Sequence, residues 1–277
     1  MKKYSIITFM VTVLFLLTAC TGQNTTKINI TEDVGITSTP TDGDVDNEDV
    51  EEDIVITNKP TATDTDFTEG VWIKKYPDNY ACFKFESPEG FQIVCDPFDV
   101  DETLQPDIVT ESHQHSDHTD TSNLEHPYQL ITEAGDYSKE DVVIQGYAGK
   151  HNKGDIEGTN NIFIIKMKDI TIAHFASQGE IPSDEVLEQI GSVDILLIQV
   201  FENPLYNKLL INDTDAIINK LKPKIIIPEH GDINAGDILA KHLKNATEDV
   251  ESSGNIIVTR DMLDKIEGIL VINLDNN

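Results

Sequence analysis

The chain predicts an α+β domain with sheets inside and helices outside. From residue 71 onward, short runs rich in β-branched and aromatic residues succeed one another, punctuated by turn residues. From about residue 183, such runs alternate with helix-length segments that open on capping residues. The stretch before residue 70 shows neither pattern, so the folded unit is confined to 70–277. Strands first and strand–helix alternation later is the order expected of a layered α+β domain.

Taken in order, 71–76, 81–85, 91–94 and 107–110 read as strands, followed by 129–132 and 142–147. Residues 161–167 and 170–174 form a hairpin around Lys168-Asp169. Ser183 caps a helix over 184–190, and 194–199 is a strand. Asp213 or Thr214 caps a helix ending at Leu221; 224–227 is a strand and 235–245 a helix. Residues 256–258 and 269–273 are late strands, and no internal repeat is present. The first hairpin turns on Ser87-Pro88-Glu89-Gly90. If Glu86 lies opposite Phe91, counting outward sets Cys82 against Cys95, and an oxidising compartment would allow a disulfide. The alternative is two small buried apolar side chains.

Fifty acidic residues against 20 basic give a net charge of -30. Such a surface repels phosphate backbones, which argues against a nucleic-acid partner. The N-terminus has its own logic. Lys2 and Lys3 precede an apolar run over 6–17, too short to span a bilayer. That run ends in Leu17-Thr18-Ala19-Cys20, which resembles a bacterial lipoprotein signal. By that resemblance, residues 1–20 are a signal peptide whose cleavage leaves Cys20 lipidated. Several acyl chains then hold the protein at the cell membrane or envelope, facing outside the cytoplasm. Residues 21–69 are dominated by Thr, Asp, Glu and Asn, with no aromatic residue before Phe67, and are expected to form a disordered acidic tether. Asp42, Asp44 and Asp46 lack the Gly and Glu that a calcium loop requires.

The chemistry concentrates in Ser112-His113-Gln114-His115-Ser116-Asp117-His118, which follows directly on the apolar strand 107–110. His113 and His115, two apart on a segment leaving a strand, can point to one side. Three imidazoles and a carboxylate within six residues are costly to bury unpaired. A divalent metal that accepts N and O ligands resolves that cost. A solvent-exposed histidine loop is the competing reading.

Together with Trp72, Ala81-Cys82-Phe83, Asp96-Pro97-Phe98 and Pro228-Glu229-His230-Gly231, this motif resembles the metallo-β-lactamase superfamily. The nearest branch is that of ascorbate-6-phosphate lactonase-like hydrolases, and the likeness spans 71–277. It implies a four-layer αββα sandwich. It also implies that His113, His115 and His151 hold one metal while Asp117, His118 and His230 hold a second. The ions would be zinc or another divalent metal, one or two per chain. Asp96 matches an acid that orients the histidine loop from behind, and His174 is expected to support or pack rather than ligate. Where the family places a metal-bridging aspartate, this chain has Ser177, so the second metal should bind more weakly unless Gln178 or Glu180 compensates. His126 and His242 read as ordinary surface histidines.

The function implied is metal-assisted hydrolysis of a small-molecule ester, lactone, amide or phosphodiester. A metal that lowers the pKa of bound water toward ~7 supplies hydroxide at neutral pH. Asp117 is available to accept a proton if it is not fully engaged as a ligand. The competing function, raised by Ser177, is a surface-tethered binding protein that has kept the fold and lost catalysis. Metal storage is disfavoured by the absence of His-rich tracts.

Overall fold

The computed structural model describes residues 67–76, 80–231, 234–243 and 254–274, with short strands at Ile28–Ile30, Ile54–Ile56 and Val250–Ser252. Strands β1 (Ile28–Ile30) and β2 (Ile54–Ile56) pair in parallel, an ordered contact inside the stretch expected to lack structure. The rest of 1–66, including Cys20, lies outside the described residues.

Two mixed sheets form the domain. The first contains β3 (Val71–Tyr76), β4 (Cys82–Glu86), β5 (Gln92–Cys95), β6 (Ile108–Thr110) and β7 (Gln129–Ile131) in that order, with β15 (Asn255–Val258) beyond β3. The second begins with an antiparallel run of β8 (Gly135–Lys139), β9 (Val142–Gly149), β10 (Asn160–Met167) and β11 (Ile170–His174). It continues in parallel through β12 (Ile195–Val200), β13 (Ile225–Gly231), β16 (Leu270–Leu274) and β14 (Val250–Ser252). The inner faces meet through Phe83, Phe85 and Ile93 on one side and Phe163, Ile172 and Leu197 on the other. Each such buried side chain contributes about 1.5–3 kcal/mol.

Helices α1 (Asp184–Ile190), α2 (Ile211–Leu221) and α3 (Ala235–His242) cover the outer face of the second sheet, burying Leu187, Ile217 and Leu239. The outer face of the first sheet is covered differently. Val100, Leu104 and Leu124, from the connection between β5 and β7, pack on Tyr76, Val94 and Val109. Among the described residues no helix forms there, so irregular chain makes the fourth layer.

Strand alternation decides the cysteines. The observed register sets Phe83 against Cys95 and Glu86 against Gln92, one residue off the expected pairing. A one-residue slip exchanges faces. Cys95 therefore points into the inter-sheet core and Cys82 into the outer layer, and both are free buried thiols. The disulfide that the expected register would have allowed does not form, and the alternative of two small buried side chains holds.

Besides β1, β2, β14 and the 3-10 turn Pro204–Tyr206, two further elements were not expected. Strand β8 is a polar edge strand whose Tyr137 is only partly buried, so it lacks a marked hydrophobic alternation. Helix α4 (Arg260–Lys265) is six residues long and opens where Thr259 Oγ1 accepts the Met262 N–H at 3.1 Å. Helix α2 starts earlier than expected because Asp213 is its third residue rather than its cap, its carboxylate accepting the Leu210 N–H at 3.1 Å.

Candidate metal centre

The motif loop leaves β6 and is fixed from beneath by Asp96. This residue follows β5 at φ +47, and its carboxylate is wholly buried. Oδ1 accepts the Ser112 N–H at 2.6 Å, and Oδ2 accepts the Ser112 hydroxyl at 2.6 Å and the His118 Nδ1–H at 2.8 Å. That last bond fixes the His118 tautomer and leaves its Nε2 as a lone-pair donor. Ser112 Oγ also lies 3.0 Å from His113 Nδ1, so one carboxylate steers two imidazoles. From the other sheet, Asn161 holds the Ser112 carbonyl with its N–H at 2.8 Å and its side-chain amide at 3.2 Å.

Two donor groups result. His113, His115 and His151 bring ligand atoms within 4.8 Å of one another, and so do Asp117, His118 and His230. The groups adjoin, since the His113 and His118 rings are 4.0 Å apart and the His113 and His151 rings 4.5 Å apart. His151 arrives on the loop after β9. The Gly179 N–H donates to the Lys150 carbonyl at 2.6 Å, and a Cβ at Gly179 would lie 2.4 Å from the Asn152 backbone. Only glycine allows that approach of the two loops. His230 ends β13.

Behind the site lies a buried charge cluster. His174 Nε2–H donates to the Ala81 carbonyl at 3.1 Å, and the Glu229 carboxylate is 3.0 Å from the same nitrogen without hydrogen-bond alignment. Asp96 is 4.0 Å from His174, and Lys75 Nζ donates to the Pro228 carbonyl at 3.2 Å. Burial alone would lower the His174 pKa, but Glu229 and Asp96 outweigh it and raise it well above the usual range. Burial likewise opposes ionisation of Asp96, yet His118, His174 and Ser112 hold its carboxyl below the usual range. His174 joins neither donor group and sits behind them.

The chain matches the sequence profile of the Beta-lactamase superfamily domain over residues 78–230. It belongs to the metallo-beta-lactamase superfamily. A candidate Zn-dependent hydrolase of that superfamily from Thermotoga maritima is 26% identical, with a TM-score of 0.59 over 73% of this chain and 98% of that one. A candidate metal-dependent hydrolase from Parabacteroides distasonis, 16% identical, gives 0.52 over 63% of this chain and 89% of that one. CmlA, a diiron beta-hydroxylase from Streptomyces venezuelae, gives 0.50 at 13% identity, over 75% of this chain and 54% of that one. These last two likenesses concern the fold alone. No curated protein matches.

The donor chemistry of this superfamily member suits a metal. Burial and the neighbouring His118 push His113 down to about 2, burial and Lys208 push His151 to about 4, and burial and His118 push His230 to about 4. All three imidazoles are therefore neutral at pH 7, with lone pairs to donate. His230 Nε2 is shielded from solvent and has no hydrogen-bond partner among the described residues.

The suggested substitutes for the bridging aspartate do not join either group. Ser177 is buried at 2% exposure. Gln178 Oε1 accepts from Asn160 Nδ2 at 3.1 Å and the Lys150 N–H at 3.3 Å, while Glu180 pairs with Lys150 at 2.6 Å. His126 stacks on Tyr128, and His242 pairs with Asp215, both away from the donor groups.

Sequence reading missed Glu229, Lys75 and Lys208. A charged residue inside the apolar run 225–230 was a usable signal for Glu229. Lys208, in a loop far along the chain, carried none; its Nζ donates to His151 Nε2 at 2.8 Å and to the His151 carbonyl at 2.7 Å.

Proposed function

We propose that residues 70–277 form a metal-dependent hydrolase acting on an ester, lactone, amide or phosphodiester bond of a small molecule. The supporting observation is the adjacency of the two donor groups, which share one loop. A divalent metal bound there supplies Lewis acidity and an activated water. The proposed ligands are His113, His115 and His151 for one ion and Asp117, His118 and His230 for the other, and zinc fits the N/O donor set. Asp96 holds His118 in its metal-accepting tautomer. Asp117, with a side chain 34% exposed, takes the proton of the attacking water when it is free of full ligation, while the scissile bond breaks toward the leaving group. The fold hosts all four bond types and does not choose among them.

A second reading follows from Ser177. With a hydroxyl where the family has a bridging carboxylate, less negative charge holds two dications together, and a binding protein without turnover becomes the alternative. Elemental analysis of the chain purified without chelator, repeated for Ser177→Asp, separates the cases. About two metals per wild-type chain supports the dinuclear hydrolase. About one, rising to two in Ser177→Asp, points to a mononuclear enzyme. No metal in either form would sink the hydrolase reading. The same measurement distinguishes zinc from the iron named for CmlA.

The location proposed is the outer side of the cell membrane, through lipidated Cys20 and an acidic tether over 21–69, with no nucleic-acid partner. Its support is the Leu17-Thr18-Ala19-Cys20 motif and the charge of -30. Detergent-phase partitioning that survives in Cys20→Ser would overturn the lipid anchor.

A further inference from the structure

Lys208 stands beside the first donor group but belongs to none of the pairs that build it. It follows the 3-10 turn Pro204–Tyr206 in the loop between β12 and α2. Its ammonium is tied to the backbone by the His151 carbonyl at 2.7 Å, an oxygen that is not among the proposed ligand atoms. A second N–H is aimed at His151 Nε2 at 2.8 Å. A neutral imidazole offers one lone pair: with Lys208 donating to Nε2, Nδ1 carries the ring proton toward the Asn152 side-chain amide 2.9 Å away, and Nε2 is the nitrogen a metal would take. Once that lone pair is taken, the lysine N–H loses its acceptor. A cation then stands next to a dication in a half-buried site, with Asp155 and Asp117 in electrostatic reach, and an added anion would be attracted by both cations.

The walls of this corner are aromatic. Phe201 and Tyr206 have ring centroids 4.9 Å apart, and Phe201 lies 6.2 Å from His230 in the second donor group. Tyr206 is 52% exposed and the adjacent Leu205 87% exposed, an uncommon degree of apolar surface beside a polar centre.

We propose that Lys208 receives a carboxylate or phosphate group of the substrate, so that the preferred substrates are small anionic molecules with an apolar part against Phe201 and Tyr206. This rests on the hydrolase reading for the word substrate, but the anion site itself does not. Lys208 is a binding and specificity residue here, and the departure at Ser177 acts in the same direction by leaving the centre less negative.

The test is calorimetric titration of the metal-loaded full chain with benzoate and with phenyl phosphate, which separates the two anion sources. The same preparations are assayed with 4-nitrophenyl butyrate and its carboxylated counterpart, mono-4-nitrophenyl succinate. Wild type is expected to bind at least one probe, Lys208→Met to bind it about tenfold more weakly or worse, and Lys208→Arg to retain most of the affinity. Metal content is expected to be equal in all three. Binding within twofold between wild type and Lys208→Met, no binding of either probe by wild type, or metal lost in Lys208→Met overturns the proposal. Lys208-dependent binding without turnover of either ester removes carboxylic esters from the hydrolase reading and leaves the anion site standing.

Discussion

Behind His118 and His230 stand Asp96, His174 and Glu229, each essentially without solvent exposure, whereas His115 and His151 are carried on chain that solvent reaches. The two donor groups share the 112–118 loop, and Asp96 reaches both through it, but the rest of their support differs. One is held by buried charges that must all be matched, the other by loop contacts such as the Gly179 N–H on the Lys150 carbonyl. Disturbance of the first should therefore be felt as stability, and disturbance of the second as metal affinity.

Acid tests this on both groups at once. His113, His151 and His230 have folded-state pKa values pushed from 6.5 to about 2, about 4 and about 4, so between pH 6.5 and 4 the unfolded chain binds protons that the folded one refuses. Stability of the metal-free protein therefore falls as pH falls through that window. Each shifted unit corresponds to ~1.4 kcal/mol, and the well-buried His113 and His230 carry most of the loss. Burial raises Glu229, and Glu229 and Asp96 raise His174, both of which work in the opposite direction, but these are two groups against three. A melting temperature that stays flat from pH 6.5 to 4 in the metal-free chain would contradict these shifts.

Among substitutions, Asp96→Ala should cost most, about 3–5 kcal/mol, because it strips both Ser112 bonds, leaves His118 without its buried carboxylate and leaves His174 with Glu229 as its one buried carboxylate. Denaturant melts measure it, and metal content should fall in both groups. Glu229→Gln should cost less, about 1–3 kcal/mol, since Asp96 remains near His174. His115→Ala should leave stability within about 0.5 kcal/mol while the first metal is lost. If His115→Ala unfolds the domain, or Asp96→Ala leaves it as stable as wild type, the contrast between the groups is wrong.

Much of the architecture was legible in the sequence because hydrophobic runs and caps speak locally. Ser183 announced α1, and the apolar strands before His113 and His230 announced where ligands would emerge. The histidines of the 112–118 loop, which the structure brings into the two donor groups, were legible for the same reason, being costly to place elsewhere, whereas His151 came through the family resemblance. What stayed hidden depends on distant chain. Lys208 reaches His151 across 57 positions, and His174 reaches Ala81 across 93. The β4–β5 register was hidden for a subtler reason, since a turn of Ser87-Pro88-Glu89-Gly90 is compatible with either face and only the two-sided core selects one. The missing fourth-layer helix could not be foreseen either, because Val100, Leu104 and Leu124 fill that space without a helical period.

That register also shapes how the hairpin behaves under oxidation and during folding. With Cys82 and Cys95 on opposite faces of one sheet, their sulfurs cannot meet without unzipping β4 from β5. Burial pushes the Cys82 thiol pKa up, which further starves any exchange reaction of thiolate. The hairpin thus reaches its native pairing with no oxidant or isomerase to wait for, and a strong reductant should leave its melting temperature where it was.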